Sequence, residues 1–364
     1  MITGDHQLTA EAVARKIGLS GRGAIISRAK PEDKLHIIQI FQENDEIVAM
    51  TGDGVNDAPA LRRSDIGISL GLSGTEVAKE ASDIVLADDN FATIVAAIEE
   101  GRAIYSNMKC FIRYLISSNI GEICSIFFAA ALGIPDVFLS IQLLWVNLVT
   151  DGPPATALSF NRVEPNIMER PPRPPTEPLI SSKTLARYCV IGFYVGFATV
   201  AVFIWHFTQR TQSGYSPITL GMLRDYGSCA KWADFNPSPY LRRSDAPGYD
   251  LCDVFSFGAI KASTLSLTTL VVLELLNALN ALSERLSVLS IGVFSNKLLL
   301  WALSCSLLIH LAVLYVPPLR AIFHLQPLSL YEWVVVAAFS LPIVLLDEAI
   351  KCLLRTAVWK AAMS

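Results

Sequence analysis

The stretch TGDGVNDAP, residues 51–59, concentrates residue types that bind metal ions and phosphate. Asp53 and Asp57 lie four residues apart, with Asn56 between them. Mg²⁺ is bound in proteins through one or two carboxylates together with phosphate and water. The glycines on either side of Asp53 let the backbone turn tightly and approach a ligand. An Asx-rich turn with incidental acids is the alternative, but the length of the motif favours a Mg²⁺ and phosphate site.

Two other segments extend this predicted site. Lys34, in KPEDK, could contact a phosphate as a point charge. The tripeptide Thr3-Gly4-Asp5 follows the apolar opening Met1-Ile2. Ligands of parallel α/β sheets bind beyond the carboxyl ends of the strands. We therefore expect the tripeptide, Lys34 and the 51–59 loop to line one pocket.

A second set of polar residues lies inside long apolar runs, where ionisable groups are costly and a functional role is the first hypothesis. A spacing of three to four residues places such groups on one helical face. Gly152-Pro153-Pro154 removes backbone donors, and helices broken at mid-membrane recur at ion sites. The set consists of Asn119, Glu122, Asn147, Thr150, Asp151 and Glu274.

These side chains offer only hard oxygen ligands, which suit Ca²⁺. A copper or zinc site would be expected to include Cys or His inside the apolar runs, and we expect His310 to be a packed, hydrogen-bonded residue. Helix-to-helix bonding is the favoured interpretation for Asn277 and Ser118. It does not explain the three acids, which would repel each other without a cation. Protonation after cation release would relieve that repulsion, which suits proton counter-transport.

Membrane helices must position these residues. The chain has 364 residues, 52% hydrophobic and 17% charged, with a mean hydropathy of +0.45, which is unusual for a soluble protein. The net charge of −4 gives no indication of a nucleic-acid partner. Six apolar runs have the length of about 20 residues that a bilayer requires: Phe111–Leu132, Val137–Leu158, Tyr188–Phe207, Leu265–Leu282, Leu298–Val316 and Trp333–Leu354.

Loop charges predict the orientation of these spans. The connection 161–187 carries five Lys or Arg residues, whereas the connection 133–136 carries none. By the positive-inside rule the basic connection is cytosolic. No signal peptide is recognised before the first span, and the number of spans is even. We therefore expect the N-terminal domain and the C-terminus in the cytosol.

The long loop 208–261 is then lumenal, and it holds Cys229 and Cys252. An oxidising lumen would permit a disulfide between them, with two free thiols as the alternative. The other five cysteines fall in or beside spans and are expected to be small packing residues.

Residues 1–107 read as a soluble domain, followed by a membrane domain over residues 108–364. Short apolar runs alternate with helical patterns, which predicts a parallel sheet covered by helices. The expected strands are Ala24–Ile26, Ile47–Met50, Ile66–Ile68 and Ile84–Ala87, and the expected helices are Ala10–Ile17, Lys34–Gln42 and Ser73–Ala81.

The motif TGDGVNDAPAL closely resembles the hinge motif of P-type cation-transporting ATPases, in their haloacid dehalogenase-like phosphorylation domain. The similarity continues in chain order through MITGD, VAKEASDIVLADDNF, FIRYLISSN, LLWVNLVTDGPPATAL and NALNALSE. It implies part of an α/β, Rossmann-like phosphorylation domain followed by an all-α bundle of six transmembrane helices.

The resemblance also implies residue roles in the soluble domain, with ATP as substrate. Asp53 would bind Mg²⁺, Asn56 and Asp57 would organise the phosphoryl site, and Lys34 would contact phosphoryl oxygens. Thr3-Gly4-Asp5 would line the same pocket.

The membrane residues are similar to those of sarco/endoplasmic reticulum-type calcium pumps. One Ca²⁺ site would share Asn147 and Asp151 with groups from a span outside this sequence. The implied activity is ATP-driven Ca²⁺ transport from the cytosol into the endoplasmic reticulum lumen, with membrane lipid and the N-terminal part of the pump as partners. The other Ca²⁺ site would use Asn119, Glu122, Thr150, Asp151 and Glu274.

The sequence departs from the family at one point of the chemistry. The family's phosphorylated Asp lies in a DKTGT motif, which does not occur here, and the nucleotide-binding and actuator domains are also expected to be absent. We therefore expect the C-terminal portion of a pump (a fragment, a truncated gene model or a short isoform), inactive by itself. The alternatives are a membrane-anchored phosphohydrolase, for which Asp5 lacks the right context, and a non-catalytic membrane protein that binds or competes with a complete pump.

Overall fold

The computed structural model describes residues 2–4, 6–16, 26–162, 167–169, 171, 173–174, 178–209, 216, 218–232, 235, 252–282, 287, 290 and 292–363. Two compact units make up the chain: Met1–Arg102 with Pro165–Pro178, and Ala103–Glu164 with Leu179–Ser364. The domain boundary expected near residue 107 stays a prediction, because a single helix runs through that position.

The first unit contains a parallel sheet of three strands, in the order β1 (Ala49–Gly52), β2 (Ile66–Leu70) and β3 (Ile84–Leu86). Ala49 pairs with Ile66, and Ile68 pairs with Ile84. The predicted parallel sheet is therefore confirmed, although β1 begins two residues later than expected.

The helices of this unit are α1 (Gln7–Lys16), α2 (Pro31–Glu43), α3 (Ala58–Arg63) and α4 (Glu76–Glu80). Helix α4 is shorter than predicted, because the preceding loop is bonded to Asp89: the N–H of Leu72 donates over 3.0 Å and that of Ser73 over 2.7 Å. Of the expected strand Ala24–Ile26, Ile26 forms an isolated parallel bridge with Ile2, and residues 24 and 25 lie outside the described residues.

Long helices dominate the rest of the chain. Five in the described part are long and apolar enough to cross a membrane: Ala92–Leu132, Thr184–Thr208, Asp253–Asn280, Lys297–Tyr315 and Leu330–Leu353. Apart from those of the second predicted span, the helices of this part within the described residues are α5 (Ala92–Leu132), α8 (Ser182–Gln209), α9 (Leu220–Arg224), α10 (Asp253–Asn280), α11 (Lys297–Tyr315), α12 (Pro317–Ile322), α13 (Leu330–Ser340) and α14 (Pro342–Met363).

The second predicted span is divided into three pieces. Helix α6 (Ser140–Trp145) continues into a π-helical turn, Val146–Thr150, and then into α7 (Gly152–Leu158). The N–H of Asp151 donates to the carbonyl of Val146, five residues back, over 2.9 Å. The break was expected, but it begins before Gly152-Pro153-Pro154, which instead forms the first turn of α7, where proline is tolerated.

Helix α10 lies in the centre of the second unit and packs against α7, α8, α11, α13 and α14. Its buried side chains face all sides of the helix, as is typical of a helix surrounded by others. Leu265, Leu270 and Leu273 are fully buried there. This packing encloses Glu274, which lies in the second half of the helix.

Candidate cation site and phosphoryl site

Three acids from different parts of the second unit are buried. Glu122 of α5, Asp151 between the π-helical turn and α7, and Glu274 of α10 are 7%, 1% and 0% exposed. Carboxylates are almost never buried to this extent unless they are paired. Their partners therefore decide what the site can do.

Asp151 accepts hydrogen bonds from two neutral hydroxyl groups of α5. The Tyr114 hydroxyl donates to Oδ1 over 2.9 Å, and the Ser118 hydroxyl donates to Oδ2. Our sequence interpretation overlooked Tyr114 and assigned Ser118 to helix packing. The signal was the four-residue spacing of Tyr114, Ser118 and Glu122, which places them on one face of α5.

Within the described residues, Glu122 and Glu274 also accept from neutral donors. The Asn147 amide donates to Oε2 of Glu122 over 2.8 Å. The Asn277 amide lies 3.5 Å from Oε2 of Glu274 and 2.8 Å from the Ser117 hydroxyl. The remaining oxygen of each acid, Oε1, is buried and has no hydrogen-bond partner. An ionised oxygen in that position is unfavourable without a cation.

No ion pair involves these acids in the part of the chain that the structure describes. Nor do three His, Cys, Asp or Glu side chains there converge in a metal-binding arrangement. A cation at this site would therefore need neutral oxygens as well as the acids. Hard cations such as Ca²⁺ accept both kinds of ligand.

The other two predicted ligands, Asn119 and Thr150, form no hydrogen bond with the three acids in the described part of the chain. The Asn119 amide donates to the carbonyl of Leu115 in its own helix over 2.7 Å, and this bond does not join it to the acids. Thr150 is 1% exposed and directly precedes Asp151. Both residues stay predicted ligands.

A separate buried cluster joins α8 to α14. Asp347 accepts a bond of 3.0 Å from Nε of Arg187 and lies 2.9 Å from Nζ of Lys351. The side chain of Lys351 is fully buried.

His310 was expected to be a packed, hydrogen-bonded residue. It is fully buried in α11, and its Nε2 lies 3.2 Å from the Thr268 hydroxyl of α10. The expectation is confirmed.

The 51–59 loop of the first unit folds around Asp57. Lys34 of α2 lies 2.6 Å from Oδ1 of Asp57, and the N–H of Gly54 donates to Oδ2 over 3.3 Å. A Cβ atom at position 52 would lie 2.6 Å from the Cβ of Asp57, so a glycine is required there. The structure thus brings together two of the predicted phosphoryl-site residues.

Asp53 and Asn56 are exposed at the same loop. The main-chain carbonyl of Asp53 accepts bonds of 2.8 and 3.2 Å from the N–H and hydroxyl of Thr75. Its carboxylate has no hydrogen bond or ion pair within the described residues, and an accessible carboxylate of this kind fits Mg²⁺.

The remaining predicted pocket residues lie at the start of the chain. Thr3 bonds through its backbone to Ile26 and Ala29, just before the helix that carries Lys34. Gly4 follows beside Ala29, and Asp5 lies outside the described residues.

A disulfide joins Cys229 and Cys252, whose Cα atoms are 5.6 Å apart. It links the segment Tyr226–Lys231 to the start of α10. The rings of Trp232 and Phe255 pack edge to face beside it, with centroids 5.8 Å apart. Oxidation of this pair in the cell stays a prediction.

Comparisons with known proteins agree with this geometry. Residues 135–353 match the family described as cation transporting ATPase, C-terminus, and residues 1–65 match haloacid dehalogenase-like hydrolases. The chain is 50% identical to calcium-transporting ATPase 4, endoplasmic reticulum-type, and 48% identical to calcium-transporting ATPase 2, endoplasmic reticulum-type, both of Arabidopsis thaliana. Each alignment covers 96% of this chain and 37% of the relative.

A third relative comes from a distant organism. The chain is 53% identical to a calcium-transporting ATPase of Plasmodium falciparum, over 90% of this chain and 26% of the relative. The chain thus spans little more than a third of the two plant relatives. Because the family match covers more than half of its residues, the chain belongs to the cation-transporting ATPases, whose C-terminal membrane domain it carries.

Proposed function

We propose that this chain supplies the membrane cation site and part of the phosphorylation domain of an ATP-driven calcium pump of the endoplasmic reticulum type. The observation that carries the proposal is the burial of Glu122, Asp151 and Glu274, whose hydrogen bonds within the described residues come from neutral groups. The names of the similar plant and Plasmodium proteins support Ca²⁺ as the transported ion.

The ligands would come from three elements. Glu122 and Asn119 lie on α5, Asn147, Thr150 and Asp151 on the broken second span, and Glu274 on α10. The unpartnered Oε1 atoms of Glu122 and Glu274 are the oxygens most in need of a cation. Ca²⁺ takes about six to eight oxygens in an adaptable arrangement, so water or another part of the pump would complete the set.

Release of the cation would leave three buried acids without a counter-charge in a medium of low dielectric constant. No Lys or Arg within the described residues forms an ion pair with them. Proton binding would then neutralise their charge. Proton counter-transport follows as part of the proposal.

The phosphoryl site of the first unit would use residues of the chain in defined roles. Asp57 positions the ammonium group of Lys34. The positive charge of this group would then face the phosphoryl oxygens. Asp53 would hold Mg²⁺, which neutralises phosphate charge when bound. Asn56 and the Thr3-Gly4-Asp5 segment are the other proposed contacts.

The endoplasmic reticulum membrane is the proposed location, with the N-terminal domain and the C-terminus in the cytosol. Five apolar helices and the names of the plant relatives support this location. Lipid and the N-terminal part of the pump are the proposed partners.

A chimera tests the proposal. This chain replaces the matching segment of the plant calcium-transporting ATPase 4, and phosphorylation by ATP is measured in microsomes at increasing Ca²⁺. Asp151→Asn should abolish Ca²⁺-dependent phosphorylation but keep phosphorylation by inorganic phosphate without Ca²⁺. Asp136→Asn, the same change at an exposed acid, is the control. Unchanged Ca²⁺ dependence in Asp151→Asn would contradict the proposal.

A further inference from the structure

The end of α7 is bonded to the beginning of α11 through one asparagine. Asn296, 5% exposed, directly precedes α11. Its amide nitrogen donates to the carbonyl of Ala157 over 2.9 Å and to Oδ1 of Asn161 over 2.7 Å. Its Oδ1 accepts from the N–H of Leu299 over 2.9 Å. One side chain therefore caps α11 and gives a second hydrogen bond to the Ala157 carbonyl at the end of α7, which also accepts from the N–H of Phe160 over 3.2 Å.

Helix α5 is bonded to the same segment that follows α7. The amide of Asn107 donates to the carbonyls of Ser159 and Asn161 over 3.2 and 2.9 Å. The segment that leaves α7 is thus fixed to two neighbouring helices.

The other end of the broken segment meets a serine of α11. The hydroxyl of Ser306, 2% exposed, lies 3.4 Å from the carbonyl oxygens of both Val149 and Thr150. In an unbroken α-helix these carbonyls would accept from the N–H groups of residues 153 and 154, but both residues are prolines and have none. The two equal, long distances are those of one hydroxyl proton shared between two acceptors.

We propose that α11 holds the broken segment at both ends, and that Asn296 and Ser306 are positioning residues for Thr150 and Asp151. The inference rests on the proposed function, because it concerns the geometry of the cation site. Neither residue is bonded to Glu122, Asp151 or Glu274. They act through the backbone that carries Thr150 and Asp151.

The hydrogen bonds around Asp151 explain why the two positioning residues, Asn296 and Ser306, are needed. Its carboxylate is bonded to Tyr114 and Ser118 of α5, while the preceding residue is bonded through its carbonyl to α11. The N–H of Asp151 still donates to Val146, but the carbonyls of Val149 and Thr150 just before it have lost their helical donors to the prolines. The Ser306 hydroxyl of α11 supplies a donor in their place.

The test uses the chimera with Ser306→Ala and, separately, Asn296→Asp. The aspartate keeps an acceptor for the Leu299 N–H but cannot donate to α7. Each variant should raise the Ca²⁺ concentration for half-maximal phosphorylation by about threefold to tenfold, the usual range for one lost hydrogen bond. The maximal phosphoenzyme level and phosphorylation by inorganic phosphate should stay unchanged. Ser306→Thr, which keeps the hydroxyl, should restore the original Ca²⁺ dependence.

Ser304→Ala is the matched control, because Ser304 lies exposed on the same helix and bonds only to its own backbone, at Leu300. Wild-type Ca²⁺ dependence in both Ser306→Ala and Asn296→Asp would overturn the inference, as would a lower phosphoenzyme level without a shift. An unsubstituted chimera that shows no Ca²⁺-dependent phosphorylation would overturn the proposed function, and the inference with it.

Discussion

Two buried acid clusters of the second unit differ in one respect. Asp347 is fully buried and lies between two bases, Arg187 and Lys351. Glu274 is equally buried, but the donor nearest to it is a neutral amide. Both clusters join helices of the same bundle.

The presence or absence of a basic partner distinguishes an acid that stabilises the fold from one that could bind a cation. A buried carboxylate with a buried base is already neutralised, and removal of either partner leaves an uncompensated charge. A buried carboxylate without a base must be neutralised by a proton or by a cation from outside. The presence of an acid in a membrane helix is therefore less informative than the charge of its partner.

The largest expected effect is at the paired cluster. Asp347→Asn removes the acid shared by Arg187 and Lys351, leaving Glu348 at 3.8 Å from Lys351, and should destabilise the fold by about 3–5 kcal/mol. Thermal denaturation in detergent, followed by size-exclusion chromatography, measures this effect. A variant as stable as the unsubstituted protein would remove the distinction between the clusters.

Glu274→Gln should behave in the opposite way. The variant keeps the shape of the side chain and removes a charge that has no ionic partner, so the stability without Ca²⁺ should not fall. Ca²⁺ at a ~100-fold excess over its Kd should stabilise the unsubstituted chimera by about 2.7 kcal/mol, and this gain should disappear in the variant. The melting temperature with and without Ca²⁺ checks both statements, and a Ca²⁺-induced shift that persists would contradict the assignment.

A smaller effect is expected from Tyr114→Phe, which removes one neutral donor from Asp151. The Ca²⁺ concentration for half-maximal phosphorylation should change by about fivefold, equivalent to ~1 kcal/mol. Tyr194→Phe is a suitable control, since that hydroxyl bonds to the carbonyl of Phe339, away from the acids. Equal responses of the two variants would show that the Tyr114 hydroxyl has no specific role.

The smallest effect concerns an exposed acid in the first unit. The N–H of Val48 and then the amide of Gln42 lower the pKa of Asp65. A lowered pKa contributes stability above the unfolded-state value, and this contribution is lost as the pH falls through the folded-state value. Asp65→Asn should therefore weaken the dependence of unfolding on pH below about 4, as measured by denaturant titration. An unaltered acid dependence would show that this carboxylate is not among the groups responsible.

Sequence reasoning predicted the parallel sheet and the broken second span, because strand alternation and the two prolines act locally. It did not predict the partners of the acids. Tyr114 reads as an ordinary aromatic residue of an apolar helix, and only the packed bundle brings it to Asp151. Lys351 reads as a residue near the end of the last span, and only the packed bundle brings its ammonium group to the carbonyl of Asn280 in α10.

The central place of α10 has a consequence for how the protein is made. A charged residue at the middle of a helix opposes insertion from the translocon into the bilayer by about 2.5–3.5 kcal/mol. Glu274 lies in such a helix, and the amide of the neighbouring Asn277 is bonded to Ser117 of a helix that leaves the ribosome much earlier. The insertion of α10 is therefore expected to depend on helices that are already in the membrane, so that the residue proposed to bind the transported ion also sets an order of assembly.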